Sequence, residues 1–211
     1  MNAVEAVDAA DWDRRYQKTG LGWDAPPNTV VSDLCWALAP GRAVDLGCGE
    51  GRNAIWLAER GWSVTAIDFS QVAIDKARTV VSRKSRAVRN RITWRCEDAT
   101  TADLDGPVDL IVIAFVHLPR AQLHALLDRA TDALAPAGAL CIVGHDIRNL
   151  TEGYGGPDDP DVHYDPDQLA AALTGHLEVR VAQRRKRLTE DRDAIDAVVF
   201  AVRPGAGGDP T

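Results

Sequence analysis

From about residue 42 onward, short apolar runs alternate with amphipathic stretches along the chain. The runs have the length of strands, and the stretches carry apolar positions at the helical period. The run at 108–115 is almost continuously apolar, which is typical of a central parallel strand covered on both faces. Alternating strands and helices that end in a strand pair predict a single-domain, doubly wound α/β sheet. Strands are predicted at 43–46, 63–67, 92–95, 108–115, 139–144, 178–188 and 194–203, and helices at 52–60, 71–83, 119–134 and 165–173.

Composition and charge narrow the class of protein. The 211 residues are 45% hydrophobic and 26% charged, with a net charge of −7 and a pI of about 5.2. This acidity argues against a nucleic-acid partner, and the short basic clusters at 83–86 and 184–187 are typical of solvated surface. No apolar run has the length of a membrane span, the first residues lack a secretion signal, and the four cysteines are widely spaced. We therefore expect a cytoplasmic protein with no membrane partner.

The first predicted strand leads into a glycine-rich turn. Gly47 and Gly49 allow a tight turn and a close approach of the backbone to a ligand, and the next helix offers free N–H groups. The spacing Gly-x-Gly-x-Gly, completed by Gly51, differs from the Gly-x-Gly-x-x-Gly pattern of dinucleotide-binding turns. Asp45, just before the turn, would repel a pyrophosphate but accept a hydrogen bond from an ammonium group. The turn therefore favours a cofactor that carries an amino acid.

Acidic residues also follow the second and third predicted strands. Asp68 ends the second strand, where a carboxylate can accept both hydroxyls of a ribose. Asp98 follows the third strand and is placed to accept from an adenine amino group. Because ligands bind outside the carboxyl ends of the strands in such sheets, we expect these acids and Asp45 to line one crevice. The alternative is a generic glycine turn in which the acids only cap local structure.

Two segments resemble the class I S-adenosylmethionine-dependent methyltransferases: Asp-Leu-Gly-Cys-Gly-Glu-Gly-Arg-Asn at 45–53 and Val-Thr-Ala-Ile-Asp-Phe-Ser at 64–70. The resemblance covers about residues 10 to 203. It implies a Rossmann-like, seven-stranded sheet in the order 3-2-1-4-5-7-6 with strand 7 antiparallel. It also implies S-adenosylmethionine as the cofactor, released as S-adenosylhomocysteine. The cofactor-binding residues that it implies are Asp45, Gly47, Gly49, Gly51, Asp68, Phe69, Asp98 and Ala99.

On this interpretation the chain has three parts. Residues 1–40 form an N-terminal helical lid with helices at 9–18 and 29–38, residues 41–203 form the methyltransferase domain, and residues 204–211 form a disordered tail.

The segment from Trp12 to Trp23 resembles the lid of small-molecule methyltransferases. Tyr16 and Trp23 would cover the sulfonium of the cofactor, where a cation–π contact is favourable. The alternative is that these aromatic side chains only pack the helix onto the sheet.

Candidate bases follow the fourth and fifth predicted strands, on the acceptor side of the crevice. The fourth strand leads to His117 and the fifth to His145 and Asp146. A histidine there can take a hydroxyl proton near neutral pH, and Asp146 can orient it or hold the acceptor. His145 is the first candidate for the general base and His117 the second; the alternative is that both only cap strand ends. The fourth strand lacks the terminal Asp of magnesium-dependent catechol-type enzymes, so no metal is expected.

The segment Gly-His-Asp-x-Arg-Asn-Leu-Thr-Glu-Gly-x-Gly-Gly-Pro at 144–157 resembles a group of small actinobacterial methyltransferases. The resemblance implies O-methylation of a saccharide in polysaccharide biosynthesis, such as the 1-hydroxyl of a mannoside. Two alternatives remain: a thiol, selenium or tellurium methyltransferase for detoxification, and a module that binds S-adenosylmethionine without catalysis. The expected partner is a small-molecule acceptor, and the protein is expected to be a monomer or a homodimer.

Overall fold

The fold is a seven-stranded sheet with helices on both faces. It is given by a computed structural model that describes residues 9–22, 25–189 and 191–205. The sheet order is β3-β2-β1-β4-β5-β7-β6, and β7 runs antiparallel to both of its neighbours. This confirms the predicted order and the antiparallel seventh strand. The strands are β1 (Arg42–Leu46), β2 (Ser63–Asp68), β3 (Ile92–Cys96), β4 (Val108–Ala114), β5 (Leu134–His145), β6 (Glu178–Arg187) and β7 (Ala194–Val202).

Eight α-helices connect or flank the strands in the described part of the chain, together with a 3₁₀ turn at Pro160–Val162. Side chains cap several of them, and Ser70 accepts from the N–H of Ala73 at the start of the fourth helix. The helices are α1 (Ala9–Lys18), α2 (Thr29–Cys35), α3 (Arg52–Glu59), α4 (Gln71–Val81), α5 (Arg86–Arg89), α6 (Arg120–Ala133), α7 (Asn149–Glu152) and α8 (Pro166–Leu173).

The core has two layers, one on each face of the sheet. Helices α2, α3 and α4 bury their apolar sides on one face, and α6 and α8 bury theirs on the other. β4 lies between these layers, with Leu110, Ile111, Val112 and Ile113 fully buried. Its continuous apolar run is therefore explained by burial on both faces. This arrangement brings the carboxyl ends of β1, β2, β4 and β5 to one edge of the sheet.

Some predicted boundaries were wrong. The fifth strand begins at Leu134, directly after α6, and not at residue 139. The strand begins at Leu134 because this residue already pairs with Val108 of β4. It then passes through Ala137, which has a φ of 64°. Helix α2 ends at Cys35, and the short helices α5 and α7 were not predicted.

Two further findings concern the helices and the cysteines of the described residues. None of the helices in the described residues is long and apolar enough to cross a membrane. All four cysteines, Cys35, Cys48, Cys96 and Cys141, are free thiols.

Candidate active site

The turn between β1 and α3 has a backbone that glycine accommodates best. Gly47, Gly49 and Gly51 all have positive φ, at 65°, 54° and 80°. A Cβ on Gly49 would lie 2.7 Å from the Tyr16 hydroxyl, and one on Gly51 would lie 2.3 Å from the Trp94 ring. A side chain at either position would meet both backbone strain and a clash. The turn therefore forms an open cradle of backbone at the carboxyl end of β1.

Asp68 ties the end of β2 to this cradle. The N–H of Gly49 donates to its Oδ2 at 2.8 Å, and the N–H of Ser70 donates to its Oδ1 at 2.9 Å. The side chain is only 5% exposed. Burial raises the pKa of Asp68, although the two N–H groups oppose the rise. The carboxylate is thus fixed beside the turn, where the sequence predicted the ribose-binding acid.

Asp45 is a fully buried carboxyl group below the same turn. Neither of its oxygens has a hydrogen-bond partner of good geometry among the described residues. Burial raises the pKa of Asp45 to about 7, while the backbone N–H of Ala54 and the guanidinium of Arg52 act in the opposite direction. The raised pKa shows that these two groups only partly offset the cost of burying the charged form. Asp45 lines neither of the two cavities described below, so its predicted contact with the ammonium group of a cofactor stays a prediction.

The predicted adenine-binding residues lie around a cavity of about 100 Å³ beside the turn. Asp98 is exposed, and its Oδ1 accepts from the backbone N–H and the hydroxyl of Thr100 at 2.8 and 2.7 Å. Its second oxygen makes no such bond in the described residues. Of the predicted cofactor-binding residues, this cavity is lined by Tyr16, Gly47, Asp68, Phe69, Asp98 and Ala99. The donors and acceptors present therefore fit the adenosine part of S-adenosylmethionine.

Helix α1 lies over the crevice and is held by two polar contacts to α4. Asp13 accepts from the hydroxyl of Ser70 and from the N–H of Val72 at the start of α4. Lys76 donates to the backbone carbonyls of Tyr16 and Thr19, at 2.6 and 2.9 Å, and to Glu50 at 2.9 Å. The two contacts fix the helix at its middle and at its C-terminal end.

One of the two predicted lid residues, Tyr16, lies in α1. Tyr16 packs against the glycine turn and lines both cavities, and its role in covering the cofactor stays a prediction. Trp23, the other predicted lid residue, lies outside the described residues.

Aromatic and imidazole rings form a row on the acceptor side. The rings of Trp12 and His117 stack at 5.8 Å between centroids and 9° between planes, and those of His117 and His145 stack at 5.6 Å and 8°. Phe115 meets His145 edge-on at 4.9 Å. The structure thus brings both predicted histidines together. Sequence reasoning missed the contribution of Trp12, although its position one turn before Tyr16 was a signal.

Both imidazoles are held in the neutral form. Burial, followed by His145, His163 and Arg15, lowers the pKa of His117 to about 4. Burial, followed by Arg187 and His163, lowers the pKa of His145 to about 4. At neutral pH each ring therefore offers one N–H donor and one free acceptor nitrogen.

The two histidines differ in access. His117 lines the small cavity and also a larger one of about 490 Å³ that runs past Tyr16, Arg52 and Phe115. The His145 side chain is 12% exposed and lines neither cavity. The backbone of Gly156 lies against its ring, since a Cβ there would be 3.0 Å from it. The ring of His117 therefore lies between the cavities and the ring of His145.

Asp146 does not join the imidazoles. It is fully buried, its Oδ1 accepts from the N–H of Arg148, and its Oδ2 lies 2.9 Å from Nε of Arg184. Neighbouring residues of an extended chain point to opposite sides, which explains why Asp146 turns away from His145. The carboxylate beside His145 is Asp196 of β7, 3.9 Å from Nδ1. A single acid in the apolar run 194–203 was the signal for this residue.

The basic cluster of β6 is paired with acids. Arg184 contacts Asp146 and Asp165, and Arg187 contacts Asp196. The other two members, Arg185 and Lys186, lie within 4 Å of Asp33 and Asp193. These charges hold loops and strands together. Within residues 9–22, 25–189 and 191–205, no three His, Cys, Asp or Glu side chains are arranged to hold a metal ion.

Comparison with known proteins finds a similar family that fits this fold. Residues 43–138 match the family model described as a methyltransferase domain. Together with the sheet order, this match supports a class I S-adenosylmethionine-dependent methyltransferase, and it supports S-adenosylmethionine as the cofactor.

Individual relatives differ in what they act on. The tRNA 5-carboxymethoxyuridine methyltransferase of Escherichia coli is 32% identical over 52% of this chain, but this covers only 42% of that enzyme. The thiopurine S-methyltransferase of Photobacterium profundum is 21% identical over 65% of this chain and 71% of its own. The N-methyltransferase NodS from Bradyrhizobium japonicum, in complex with S-adenosyl-L-homocysteine, has a TM-score of 0.68 and 21% identity over 93% of this chain and 98% of its own. The last likeness shows the fold. Neither a saccharide acceptor nor the expected absence of a nucleic-acid partner finds support in these relatives.

Proposed function

We propose that the protein transfers the methyl group of S-adenosylmethionine to a hydroxyl group of a small polar acceptor, with His145 as the general base. The observation that carries this proposal is the stacked pair of neutral imidazoles, His117 and His145, beside the glycine cradle. A neutral imidazole has one ring nitrogen that can accept a proton. Methyl transfer to an unactivated hydroxyl requires a base that takes the hydroxyl proton. The glycine turn alone, without a base beside it, would fit a protein that binds S-adenosylmethionine without catalysis equally well.

The cofactor side of the crevice provides charge complementarity. When bound, S-adenosylmethionine supplies a methyl group activated by its sulfonium. Asp45 would ionise to pair with its ammonium group. Arg52, which lines the larger cavity, carries the charge that would pair with the carboxylate of the same amino acid. Asp68 would accept from the ribose hydroxyls, Asp98 would accept from the adenine amino group, and Phe69 and Ala99 would flank the base.

On the acceptor side, the two histidines take different parts. His117 lines both cavities and contacts the acceptor first, whereas His145 takes the proton from the reacting hydroxyl. The segment at Gly155 and Gly156 covers His145, so we expect it to move when the acceptor enters. Residues 1–40 act as the lid, because α1 covers the crevice and is anchored to α4 through Lys76.

A saccharide is the acceptor class that we favour, and the 1-hydroxyl of a mannoside is the specific candidate. An anomeric hydroxyl is more acidic than an ordinary alcohol, so a weakly basic imidazole suffices to remove its proton. The segment 144–157, which carries the resemblance to small actinobacterial methyltransferases, also forms the wall beside His145. A cytoplasmic location is part of this proposal and is supported by the four free cysteines.

A thiol acceptor is the second candidate, and one observation favours it. Both imidazoles have pKa values lowered to about 4, which makes them weak bases at neutral pH. A thiol loses its proton more readily than an alcohol and needs little help from a base. The similarity to a thiopurine S-methyltransferase agrees with this alternative.

The test is transfer of a labelled methyl group from S-adenosylmethionine by the full chain to a panel of acceptors. The panel contains mannosides, other sugars, phenols, thiols and unmodified tRNA at equal concentration of reactive groups. Transfer to sugar hydroxyls with the highest kcat/KM supports the proposal. Preference for thiols or for tRNA would overturn the saccharide assignment, and binding of the cofactor without transfer to any acceptor would favour the non-catalytic module.

A further inference from the structure

Asp196 lies directly opposite His145 in the sheet. The two residues form a register pair between the antiparallel strands β5 and β7. Side chains of directly opposite residues lie on the same face of a sheet and are close neighbours. Accordingly Oδ1 of Asp196 lies 3.9 Å from Nδ1 of His145, and Asp196 is only 2% exposed. This buried acid is not used by the cofactor side of the crevice.

Arg187 of β6 holds the carboxylate of Asp196 in place. Its Nε donates to Oδ2 at 2.7 Å and its Nη2 donates to Oδ1 at 3.2 Å. The guanidinium also lies over the ring of Phe115, with 5.4 Å between Cζ and the ring centroid. Two hydrogen bonds from one planar group fix the orientation of the carboxylate as well as its charge. Asp196 is therefore a preorganised acceptor.

Among the described residues, Asp196 supplies the carboxylate that lies near Nδ1 of His145. Nδ1 is buried and has no hydrogen bond within the described residues. The ring of His117 stacks on one side, the edge of Phe115 meets the other, and the ring of His163 lies 6.2 Å away. His163 is engaged elsewhere, since its Nδ1 is 2.8 Å from the carbonyl oxygen of Asp159. In this part of the chain Asp196 is the one carboxylate within 4 Å of the His145 ring.

We infer that Asp196 is a positioning residue for His145, and that Arg187 in turn orients Asp196. The Nδ1–H of His145 donates to Oδ1 of Asp196, which leaves the lone pair of Nε2 free for the proton of the acceptor hydroxyl. The separation of 3.9 Å must shorten by about 1 Å to give this hydrogen bond, a change typical of active sites when the substrate binds. The negative charge of Asp196 then stabilises the imidazolium that forms. The inference rests on the proposed role of His145 as the base.

The substitution Asp196→Asn tests the inference in the full-length protein. An asparagine has the same shape and keeps an oxygen for Arg187, but its amide N–H₂ would donate to Nδ1 of His145. The proton of the ring would then move to Nε2, and that nitrogen could no longer accept. Replacement of the carboxylate behind a catalytic histidine by an amide has this effect on the tautomer, and loss of a general base lowers kcat by about 10²-fold or more.

Two readouts separate positioning from general damage. Nitrogen-15 NMR of the His145 ring in labelled protein reports which nitrogen carries the proton and needs no acceptor. It should show the Nδ1–H tautomer in the wild type and the Nε2–H tautomer in Asp196→Asn. Turnover of a hydroxyl acceptor should fall about 100-fold while the Kd for S-adenosylmethionine stays unchanged. The matched control is Asp193→Asn, which removes an acid from the same hairpin, where Asp193 pairs with Lys186 at the surface.

The inference is overturned if wild-type His145 carries its proton on Nε2, or if Asp196→Asn changes neither the tautomer nor turnover. Should Asp196→Asn fail to fold, Arg187→Gln replaces it. Because Arg187 lowers the pKa of His145, its removal should raise that pKa in an NMR titration, and an unchanged pKa would count against the arrangement. If no hydroxyl acceptor exists, the proposed function fails, but the NMR result still decides whether Asp196 positions the ring.

Discussion

The two halves of the crevice are built in different ways. The half that we assign to the cofactor consists of backbone turns and single acids near the ends of consecutive strands, such as Asp45, Asp68 and Asp98. The acceptor half is assembled from side chains that are distant in sequence, such as Trp12, His145 and Asp196. One half is a property of the fold, and the other is a property of this particular chain. Substitutions in each half should therefore affect different measured quantities.

The largest effect is expected in the cofactor half, from Asp68→Asn. The substitution removes the charge that accepts from the N–H groups of Gly49 and Ser70 and that we assign to the ribose. Loss of charged hydrogen bonds of this kind costs about 2 to 3 kcal/mol, or about a 100-fold rise in the Kd for S-adenosylmethionine. Calorimetry measures the Kd, with Asp75→Asn on the surface of α4 as the control. An unchanged Kd would remove Asp68 from the cofactor site.

The next effect is expected in the acceptor half, from His117→Gln. The substitution breaks the stack between Trp12 and His145 and removes the imidazole that lines both cavities. We expect kcat/KM for the acceptor to fall by about 10- to 50-fold, with a much smaller change in the Kd for S-adenosylmethionine. His124→Gln, at an exposed position of α6, is the matched control. A fall in cofactor affinity of the same size would mean that the two halves are not separate.

The different construction of the two halves explains how much of each could be predicted from the sequence. The glycines and acids assigned to the cofactor half could be proposed from the sequence because each lies close to a strand end, and the strands were visible as apolar runs. Asp146 was paired with His145 because the two are adjacent, although adjacent strand residues point apart. Asp196 became the neighbour of His145 through strand pairing between segments about fifty residues apart, which local patterns do not report.

A smaller effect should appear in the pH dependence of cofactor binding. Free Asp45 has a pKa of about 7, so it is mostly protonated at pH 6 and mostly ionised at pH 8. Because only the ionised form attracts an ammonium group, affinity for S-adenosylmethionine should rise about tenfold between these values, with release of a proton on binding at low pH. Calorimetry in buffers of different ionisation enthalpy measures both quantities. Asp45→Asn should flatten the profile; an equally steep profile in this variant would assign the titration to another group, such as Asp68.

The smallest effect is expected at the contact between α1 and α4. Lys76→Met removes the ammonium group that bonds to Tyr16, Thr19 and Glu50. Amide hydrogen exchange across residues 9–20 should become several-fold faster, and the KM of the acceptor should rise by a similar factor. Lys18→Met, at the exposed end of α1, serves as the control. Unchanged exchange would show that α1 is held to the crevice by other contacts.

The most direct test of the account measures the Kd for S-adenosylmethionine and methyl turnover side by side in Asp68→Asn and His145→Gln. We expect Asp68→Asn to raise the Kd about 100-fold and to keep most of its turnover once the cofactor saturates. His145→Gln should keep the wild-type Kd and lose turnover by about 100-fold or more. A variant that loses both quantities together, or a His145→Gln protein with full turnover of hydroxyl acceptors, would contradict the division of the crevice into a cofactor half and a proton-accepting half.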